Sequence, residues 1–154
     1  HRLVKWSNEN GFTFSPEKTV CVPFTRVRGI HPDPALKISG QDLVVKSEHK
    51  FLGLIFDRTL TFSSHIKNLK VKCIKSLNLL KILSHRSWGA DRETLHRVYA
   101  SIIRSRLDYG CMVYGSARPS TLKCLNSVHH QGLRLVSGAF RTSPVESLYV
   151  ECNE

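Results

Sequence analysis

The sequence predicts an α+β fold in which a short, antiparallel β-rich N-terminal part precedes a bundle of three helices. Turn signals separate short apolar alternations before residue 57, and the apolar pattern takes a helical period after it. Hydrophobic residues make up 41% of the 154 residues, which is enough for a core. We therefore expect one domain or two small units, divided into residues 1–57 and 58–154.

The N-terminal part contains several short strand patterns. Asn10-Gly11 is a turn dipeptide, and Pro23 cannot donate to a sheet ladder, so its strand is expected at an edge. The near-continuous apolar run at 51–56 is typical of a strand that is buried on both faces. The predicted strands are 12–14, 20–24, a hairpin of 36–38 and 43–45 around a turn at 39–42, and 51–56.

Three helices are predicted after Asp57, each with a single apolar stripe. Ser63 or Ser64 is the expected N-cap of the first and Asp91 of the second, while the third begins near Ser120 and ends at Gly138. One stripe cannot stabilise an isolated helix, so the three must pack together. The stripes are Ile66, Leu69, Cys73, Leu77 and Leu80; Leu95, Val98, Tyr99, Ile102 and Ile103; and Leu122, Leu125, His129, Gly132 and Val136.

The chain is strongly basic, with 23 Lys and Arg against 12 Asp and Glu and a net charge of +11. Residues 58–88 hold seven basic residues and no acid. A helix with basic residues on one side and no acidic partners lacks favourable acid–base pairs and carries like-charge repulsion instead. The phosphates of a nucleic acid would offset that repulsion. We therefore expect nucleic acid as partner; a merely solvated face is the alternative, and membrane binding conflicts with the use of the apolar stripe in a core. The predicted contacts are Lys67, Lys70, Lys75 and Lys81, opposite the stripe, extended by Arg104 and Arg106.

A complete catalytic or metal site is not expected. The nucleotide-binding, metalloprotease and serine-hydrolase motifs are absent, and His129 and His130 diverge on a helix and cannot chelate one metal together. The five cysteines form no CxxC pair, and Cys111 and Cys124 are expected to be buried. Without a signal peptide or membrane segment, the expected location is intracellular.

Several segments in order resemble the C-terminal part of a reverse transcriptase from a non-LTR (LINE or jockey-like) retrotransposon. Each is weak alone, but the ordered set from residue 6 to residue 141 is specific. The segments are Trp6; Asn10-Gly11-Phe12, Phe14-Ser15 and Lys18-Thr19; Lys50 to Asp57; Leu60-Thr61-Phe62 and His65-Ile66; Tyr99 and Leu107 to Gly110; Gln131 to Arg134; and Gly138 to Arg141.

The resemblance implies roles for two N-terminal segments. Lys18 would be the palm lysine near the incoming nucleotide, with an exposed turn lysine as the alternative. Leu52, Gly53 and Leu54 would belong to the primer grip, a hairpin that holds the 3′ end of the growing strand. A glycine permits close approach of a nucleic-acid backbone, although a close packing contact would also explain Gly53. Residues 1–57 would then be the end of the palm, and residues 58–154 a thumb that grips template–primer duplex.

The chain departs from the family where catalysis is concerned. Such polymerases use two magnesium ions held by palm aspartates, and no Phe/Tyr-Ala-Asp-Asp segment occurs here. We therefore expect a fragment that holds no cofactor, does not polymerise DNA alone, and has as partners an RNA–DNA hybrid or DNA duplex and the fingers and palm of its parent. Its expected place is the nucleus or a cytoplasmic ribonucleoprotein. A stand-alone basic nucleic-acid-binding module and a non-functional transposon remnant remain the alternatives.

Overall fold

Short strand pairs and one helix form the N-terminal part of the chain, and helices form the rest. The computed structural model describes residues 2–27, 29 and 32–153. Two compact units divide between Phe62 and Ser63. The elements are α1 (Arg2–Glu9), β1 (Val20–Cys21), β2 (Lys37–Ile38), β3 (Gln41–Asp42), β4 (Val44–Val45), β5 (Glu48–Phe51), β6 (Leu54–Asp57), α2 (Ser63–Leu83), α3 (Arg92–Tyr99), a π-helical segment (Ala100–Arg104), α4 (Ser105–Asp108), α5 (Cys111–Tyr114), α6 (Pro119–Ser137) and α7 (Val145–Cys152).

The α+β class is confirmed, but the strands are shorter than predicted. β2 pairs antiparallel with β3 and β5 with β6, whereas β1 pairs parallel with β4. The strand expected at 12–14 is absent, because the helix α1 precedes it and the Phe12 ring stacks on Trp6 at 6.0 Å between centroids. The predicted hairpin exists with a tighter two-residue turn at Ser39-Gly40, which moves its second arm to Gln41–Asp42.

The apolar run at 51–56 is a hairpin rather than one strand, so the strand predicted from the apolar pattern was wrong, whereas the hairpin that the resemblance implied at Leu52-Gly53 is present. Leu52 and Gly53 have φ angles of 45° and 84°, as in a type I′ turn. Phe51 pairs with Leu54 across the turn. The run is apolar but not doubly buried: Leu54 is buried, whereas Leu52 is 72% exposed. Periodicity missed the turn because its first position carries leucine in place of the usual asparagine or glycine.

Asp57 organises the six-residue loop that ends the N-terminal unit. Its Oδ1 accepts hydrogen bonds from the backbone N–H and hydroxyl groups of Thr59 and Thr61, and its Oδ2 accepts one from the Phe62 N–H at 2.6 Å. These bonds hold Leu60 and Phe62 at φ angles of 54° and 55°, which non-glycine residues rarely adopt. Burial raises the pKa of the Asp57 carboxyl, but these hydrogen bonds outweigh it and lower the pKa below its ordinary value.

The first predicted helix is α2, and its whole predicted stripe is buried. Ile66, Leu69, Cys73, Leu77 and Leu80 are at most 6% exposed. The predicted cap was wrong, because Ser63 and Ser64 are the first two residues of the helix itself.

The second predicted helix is capped by Asp91, as expected, but is not continuous. The Asp91 carboxylate accepts a hydrogen bond from the Thr94 N–H at 3.1 Å. The chain then runs through α3, the π-helical segment and α4 before the helix ends at Asp108. Such wide turns are rare within helices, and the regular apolar spacing gives no sign of one.

The third predicted helix is α6, which begins at Pro119 and ends with Gly138 in the left-handed C-cap conformation. Its Gly132 lies directly against Tyr99, the largest fully buried side chain. A Cβ atom at Gly132 would come within 2.5 Å of the ring atom Cε2. The Tyr99 hydroxyl is also hydrogen-bonded to Nδ1 of His129. This contact joins α3 to α6.

A further helix, α7, packs on α6, so the bundle is larger than the three helices predicted. Leu148 and Cys152 are buried against it, and the Tyr149 hydroxyl lies 2.9 Å from Nε2 of His130. Eight residues are too few for periodicity to predict this helix. No disulfide joins any of the five cysteines, all of which lie in the described part of the chain; Cys111 is exposed and Cys124 half-buried, contrary to expectation.

Replacing Gly132 with alanine is expected to destabilise the helical unit. At an exposed helix position this substitution normally raises the free energy of unfolding by about 1 kcal/mol. Here the new methyl group meets the Tyr99 ring, which is fully buried and hydrogen-bonded through its hydroxyl. We expect the free energy of unfolding to fall by about 1–3 kcal/mol, the usual cost of overpacking. Chemical denaturation measures it, with Asn126→Ala as the exposed control on the same helix. An increase in stability would contradict the packing.

Asp57→Asn is expected to lower the free energy of unfolding by about 1 kcal/mol, since an amide accepts these hydrogen bonds less well. The folded-state pKa is lowered, so the carboxylate contributes stability above its unfolded pKa of about 3.9 and loses it as the pH falls through the folded pKa. The difference in the free energy of unfolding between this variant and the parent chain should therefore shrink below about pH 4, as measured by denaturation curves between pH 6 and pH 3. Glu17→Gln, at an exposed position in the same unit, is the control and should leave the free energy of unfolding nearly unchanged at pH 6.

Candidate nucleic-acid interface

The basic residues of α2 divide between two flanks of the helix, on either side of its exposed outer surface. At about 100° per residue, Lys67, Lys70 and Lys81 fall on one flank, whereas Lys75 falls on the other together with Lys72. Lys70 is half-buried and the other four are exposed. The first flank is called here the Lys67 flank and the second the Lys75 flank.

Exposed apolar side chains lie among these lysines, in addition to the buried stripe on the opposite side of α2. Val71 and Ile82 are 55% and 57% exposed and lie between the two flanks. Ile74 lies near the Lys67 flank and Leu79 near the Lys75 flank, both more than 40% exposed. The outer surface of α2 is therefore mixed, with aliphatic side chains between the charged ones.

The Lys75 flank forms one side of a basic groove. The groove has a volume of about 520 Å³ and is lined by Lys72, Lys75, Ser76, Leu79 and Arg106. Three of its five lining residues are cations and none is acidic. The structure thus brings together two predicted contact residues from different helices, Lys75 and Arg106.

Hydrogen bonds to α2 hold the guanidinium of Arg106 in this groove. Its Nη1 donates to Ser76 Oγ at 2.5 Å and to the Lys72 carbonyl at 3.3 Å. Because these acceptors are neutral, they orient the charge without cancelling it. Lys72 was not among the predicted contacts, although its position in the acid-free stretch was a sequence signal that could have indicated it.

The electrostatic effect of the groove reaches the buried side of α2. Burial, and then the charge of Lys72, lower the pKa of His65 below its ordinary value. His65 is therefore neutral at pH 7 and adds no charge to the surface. Burial raises the pKa of the Cys73 thiol, which Arg106 and Lys72 partly offset. The thiol stays protonated and serves as a core side chain.

Arg104 does not join Arg106 in this groove. The two residues are two positions apart on a helix, so their side chains diverge. Arg104 instead forms an ion pair with Asp108, with 3.7 Å between Nε and Oδ2. Its charge is partly matched within its own turn.

The hairpin residues 52–54 have unequal access to a ligand. Leu52 forms the turn and is 72% exposed, and Phe51 beside it is 61% exposed. Leu54 is buried and cannot contact a ligand in this structure. The primer-grip role of Leu52 and Gly53 stays a prediction.

Lys18 lies in an exposed turn, where its N–H donates to the Ser15 carbonyl at 3.3 Å. This placement is compatible with either the palm-lysine role or the turn-lysine alternative, so that role also stays a prediction.

Two kinds of site are absent from the described part of the chain. No three His, Cys, Asp or Glu side chains there come together in a group that could hold a metal ion. Nor is any helix of that part long and apolar enough to cross a membrane.

Comparison with known proteins finds similar sequences among the polymerases of mobile elements. The chain is 30% identical over 149 residues, 92% of its length, to the RNA-directed DNA polymerase from the mobile element jockey of Drosophila melanogaster. The jockey polymerase of Drosophila funebris is 31% identical over 82% of the chain, and the probable polymerase of the Drosophila melanogaster X-element 27% identical over 90%. The chain matches one part of the non-LTR retrotransposon RNA-directed DNA polymerases.

The retrotransposon polymerases are much longer than the matched region. The chain spans 16% of the length of the Drosophila melanogaster jockey polymerase and 15% of that of the X-element polymerase. No family model matches the chain. No solved structure matches it either.

Leu52→Asn is expected to stabilise the hairpin, because asparagine tolerates a positive φ better than leucine does. The free energy of unfolding should rise by about 0.5–1 kcal/mol, measured by chemical denaturation. Leu52→Ala is the control, since it removes the side chain but keeps the strained Cβ, and it should give no gain. If Leu52 also contacts a primer, both variants should weaken hybrid binding in spite of their different stabilities; unchanged binding would contradict the primer-grip role.

Proposed function

We propose that the helical unit holds template–primer duplex, an RNA–DNA hybrid or a DNA duplex, for a retrotransposon RNA-directed DNA polymerase. It does so by contacting phosphates without reading the base sequence. The observation that carries the proposal is the basic groove, in which Lys72, Lys75 and Arg106 meet without an acidic side chain.

Phosphate is the ligand chemistry that fits this groove best. Three neighbouring cations repel one another, and phosphates relieve that repulsion while releasing the counterions condensed on the nucleic acid. The hydrogen bonds to Ser76 and the Lys72 carbonyl restrict the Arg106 side chain before any ligand arrives. Less conformational entropy is then lost on binding.

The two basic flanks of α2 suit a wide groove of either duplex. A helix about 10–12 Å across that carries cations on two flanks needs a wide groove to contact phosphates with both. The minor groove of A-form duplexes is wide and shallow, and the major groove of B-DNA is about 12 Å wide and admits an α-helix. Val71 and Ile82, between the flanks, would then face the interior of the groove instead of the phosphates.

The rest of the polymerase reaction is assigned to other parts of a parent chain. The described residues form no metal-ligand group, and we expect no polymerisation by this chain alone. Fingers and palm would supply the catalytic aspartates. The proposed place of action is intracellular, in the nucleus or a cytoplasmic ribonucleoprotein.

Fluorescence anisotropy across a salt series tests the proposal with a hybrid, a DNA duplex and a single strand. If four or five cations meet phosphates, log K should fall against log salt with a slope of about −4. The triple variant Lys72→Gln, Lys75→Gln, Arg106→Gln should reduce the magnitude of that slope by about 2.7, at 0.9 per lost contact. A matched triple variant of the Lys67 flank (Lys67, Lys70 and Lys81 to Gln) measures the other set of contacts.

The control variant also loses three positive charges, but it loses them at side chains that already have carboxylate partners. Lys5, Lys37 and Arg97 pair with Glu9, Asp42 and Glu93 at 3.7, 3.5 and 2.5 Å. Replacing these three with glutamine should leave the slope nearly unchanged. An equal loss in control and groove variants would show that net charge alone binds. Weak, salt-independent binding by the parent chain would overturn the proposal and favour the transposon-remnant alternative.

A further inference from the structure

We propose that Trp88, in the loop after α2, is a stacking site for an unpaired nucleobase next to the duplex. The proposal rests on the proposed function, because it adds a base contact to a surface that grips phosphates. Three properties of the loop carry it: a large exposed ring, a fixed orientation and a surrounding of positive charge.

The Trp88 ring is open to solvent on one side and supported on the other. Its side chain is 61% exposed. The His85 ring stacks on it nearly in parallel, with 5.1 Å between ring centroids and 18° between planes. One base can therefore stack on the open side, whereas insertion between the two rings has no room.

The loop fixes His85 and thereby the supporting ring. The Ser87 N–H donates to Nδ1 of His85 at 3.3 Å, and the Ser87 hydroxyl lies 3.1 Å from the same nitrogen. The Gly89 N–H donates to the His85 carbonyl at 2.8 Å, and the Ala90 N–H to that of Leu83 at 2.8 Å. Because the platform exists before binding, little conformational entropy is lost when a base stacks on it.

The charge around the platform selects nucleic acid over an apolar protein surface. No acidic residue occurs between Asp57 and Asp91. Lys81 lies in the last turn of α2, and Arg86 lies in the same loop as Trp88. In sites for single-stranded nucleic acid, an aromatic ring stacks on a base while neighbouring cations contact the phosphates of the backbone. Position supports the same ligand, because the loop directly continues the helix that carries both basic flanks.

The second exposed tryptophan lacks this setting and serves as the matched control. Trp6 is 52% exposed and stacks on Phe12 with an angle of 3°. Its neighbour Lys5 is paired with Glu9 at 3.7 Å. Among the residues that the structure describes, each of the two tryptophans is exposed and stacks on another ring, but Trp88 lies in the acid-free stretch and Trp6 does not.

The experiment uses Trp6→Phe, which leaves Trp88 as the sole tryptophan of the chain. Three ligands are titrated: a blunt RNA–DNA hybrid, the same hybrid with a short unpaired overhang, and the same overhang without bases. The last two carry equal phosphate charge, so any difference between them reports the bases. We expect Trp88 fluorescence to be quenched by the overhang with bases only, and that ligand to bind about 5- to 150-fold more tightly than the abasic one.

Variants of Trp88 separate stacking from folding. Trp88→Leu should make the two overhangs bind equally and leave the blunt hybrid unchanged, whereas Trp88→Phe should restore part of the difference. Trp6→Ala, in the parent chain, should retain it. If circular dichroism shows that Trp88→Leu does not fold, the proposal is tested by the fluorescence titration of the Trp6→Phe chain and by the affinity difference that Trp88→Phe retains. Equal quenching by both overhangs, or none, would overturn the proposal.

The outcomes distinguish this proposal from the function it rests on. The groove variant (Lys72, Lys75 and Arg106 to Gln) should weaken binding of all three ligands and keep the ratio between the two overhangs. If the blunt hybrid binds with the expected salt dependence and the ratio is one, the stacking site fails alone. If no duplex binds, the proposed function fails, and a short single strand against its abasic counterpart decides the stacking site.

Discussion

The close packing of Tyr99 against Gly132 sets the arrangement of the helical unit. The tyrosine ring is fully buried, and any side chain at position 132 would occupy its space. Glycine inside a helix costs about 1 kcal/mol relative to alanine, so this position gives up helix stability for a close approach of α3 and α6. The chain continues from Tyr99 through the π-helical segment into α4, and this path brings Arg106 alongside α2.

The basic groove is therefore a product of packing as much as of charge. Arg106 is thirty residues from Ser76 in sequence, yet its guanidinium donates to that hydroxyl. The lysines of α2 would exist on any isolated helix of this sequence, but only tertiary packing adds an arginine to Lys72 and Lys75. The same packing explains why Arg104 is excluded, since its side chain leaves the helix in another direction and pairs with Asp108.

Exposed apolar side chains give the surface of α2 a second character. From composition alone, the outer surface of α2 would be expected to be uniformly basic. Four exposed aliphatic side chains interrupt its lysines: Val71, Ile74, Leu79 and Ile82. Charge provides affinity at long range, while aliphatic and aromatic groups need close contact with a ligand. A surface that carries both kinds suits a partner with charged edges and apolar interior surfaces, and nucleic-acid duplexes and their unpaired ends have that composition.

The sequence by itself determined the α+β class, the three long helical segments, the Asp91 cap, the end of α6 at Gly138 and the excess of positive charge. Each depends on local residue type or on 3.6-residue periodicity, and neither needs a partner from elsewhere in the chain. Only the tertiary structure decided the helix α7, the π-helical segment and the meeting of Arg106 with Lys72 and Lys75. An eight-residue helix, a wide helical turn and an arginine thirty residues from the serine that it contacts depend on packing against distant parts of the chain. Such contacts leave no periodic mark on a sequence.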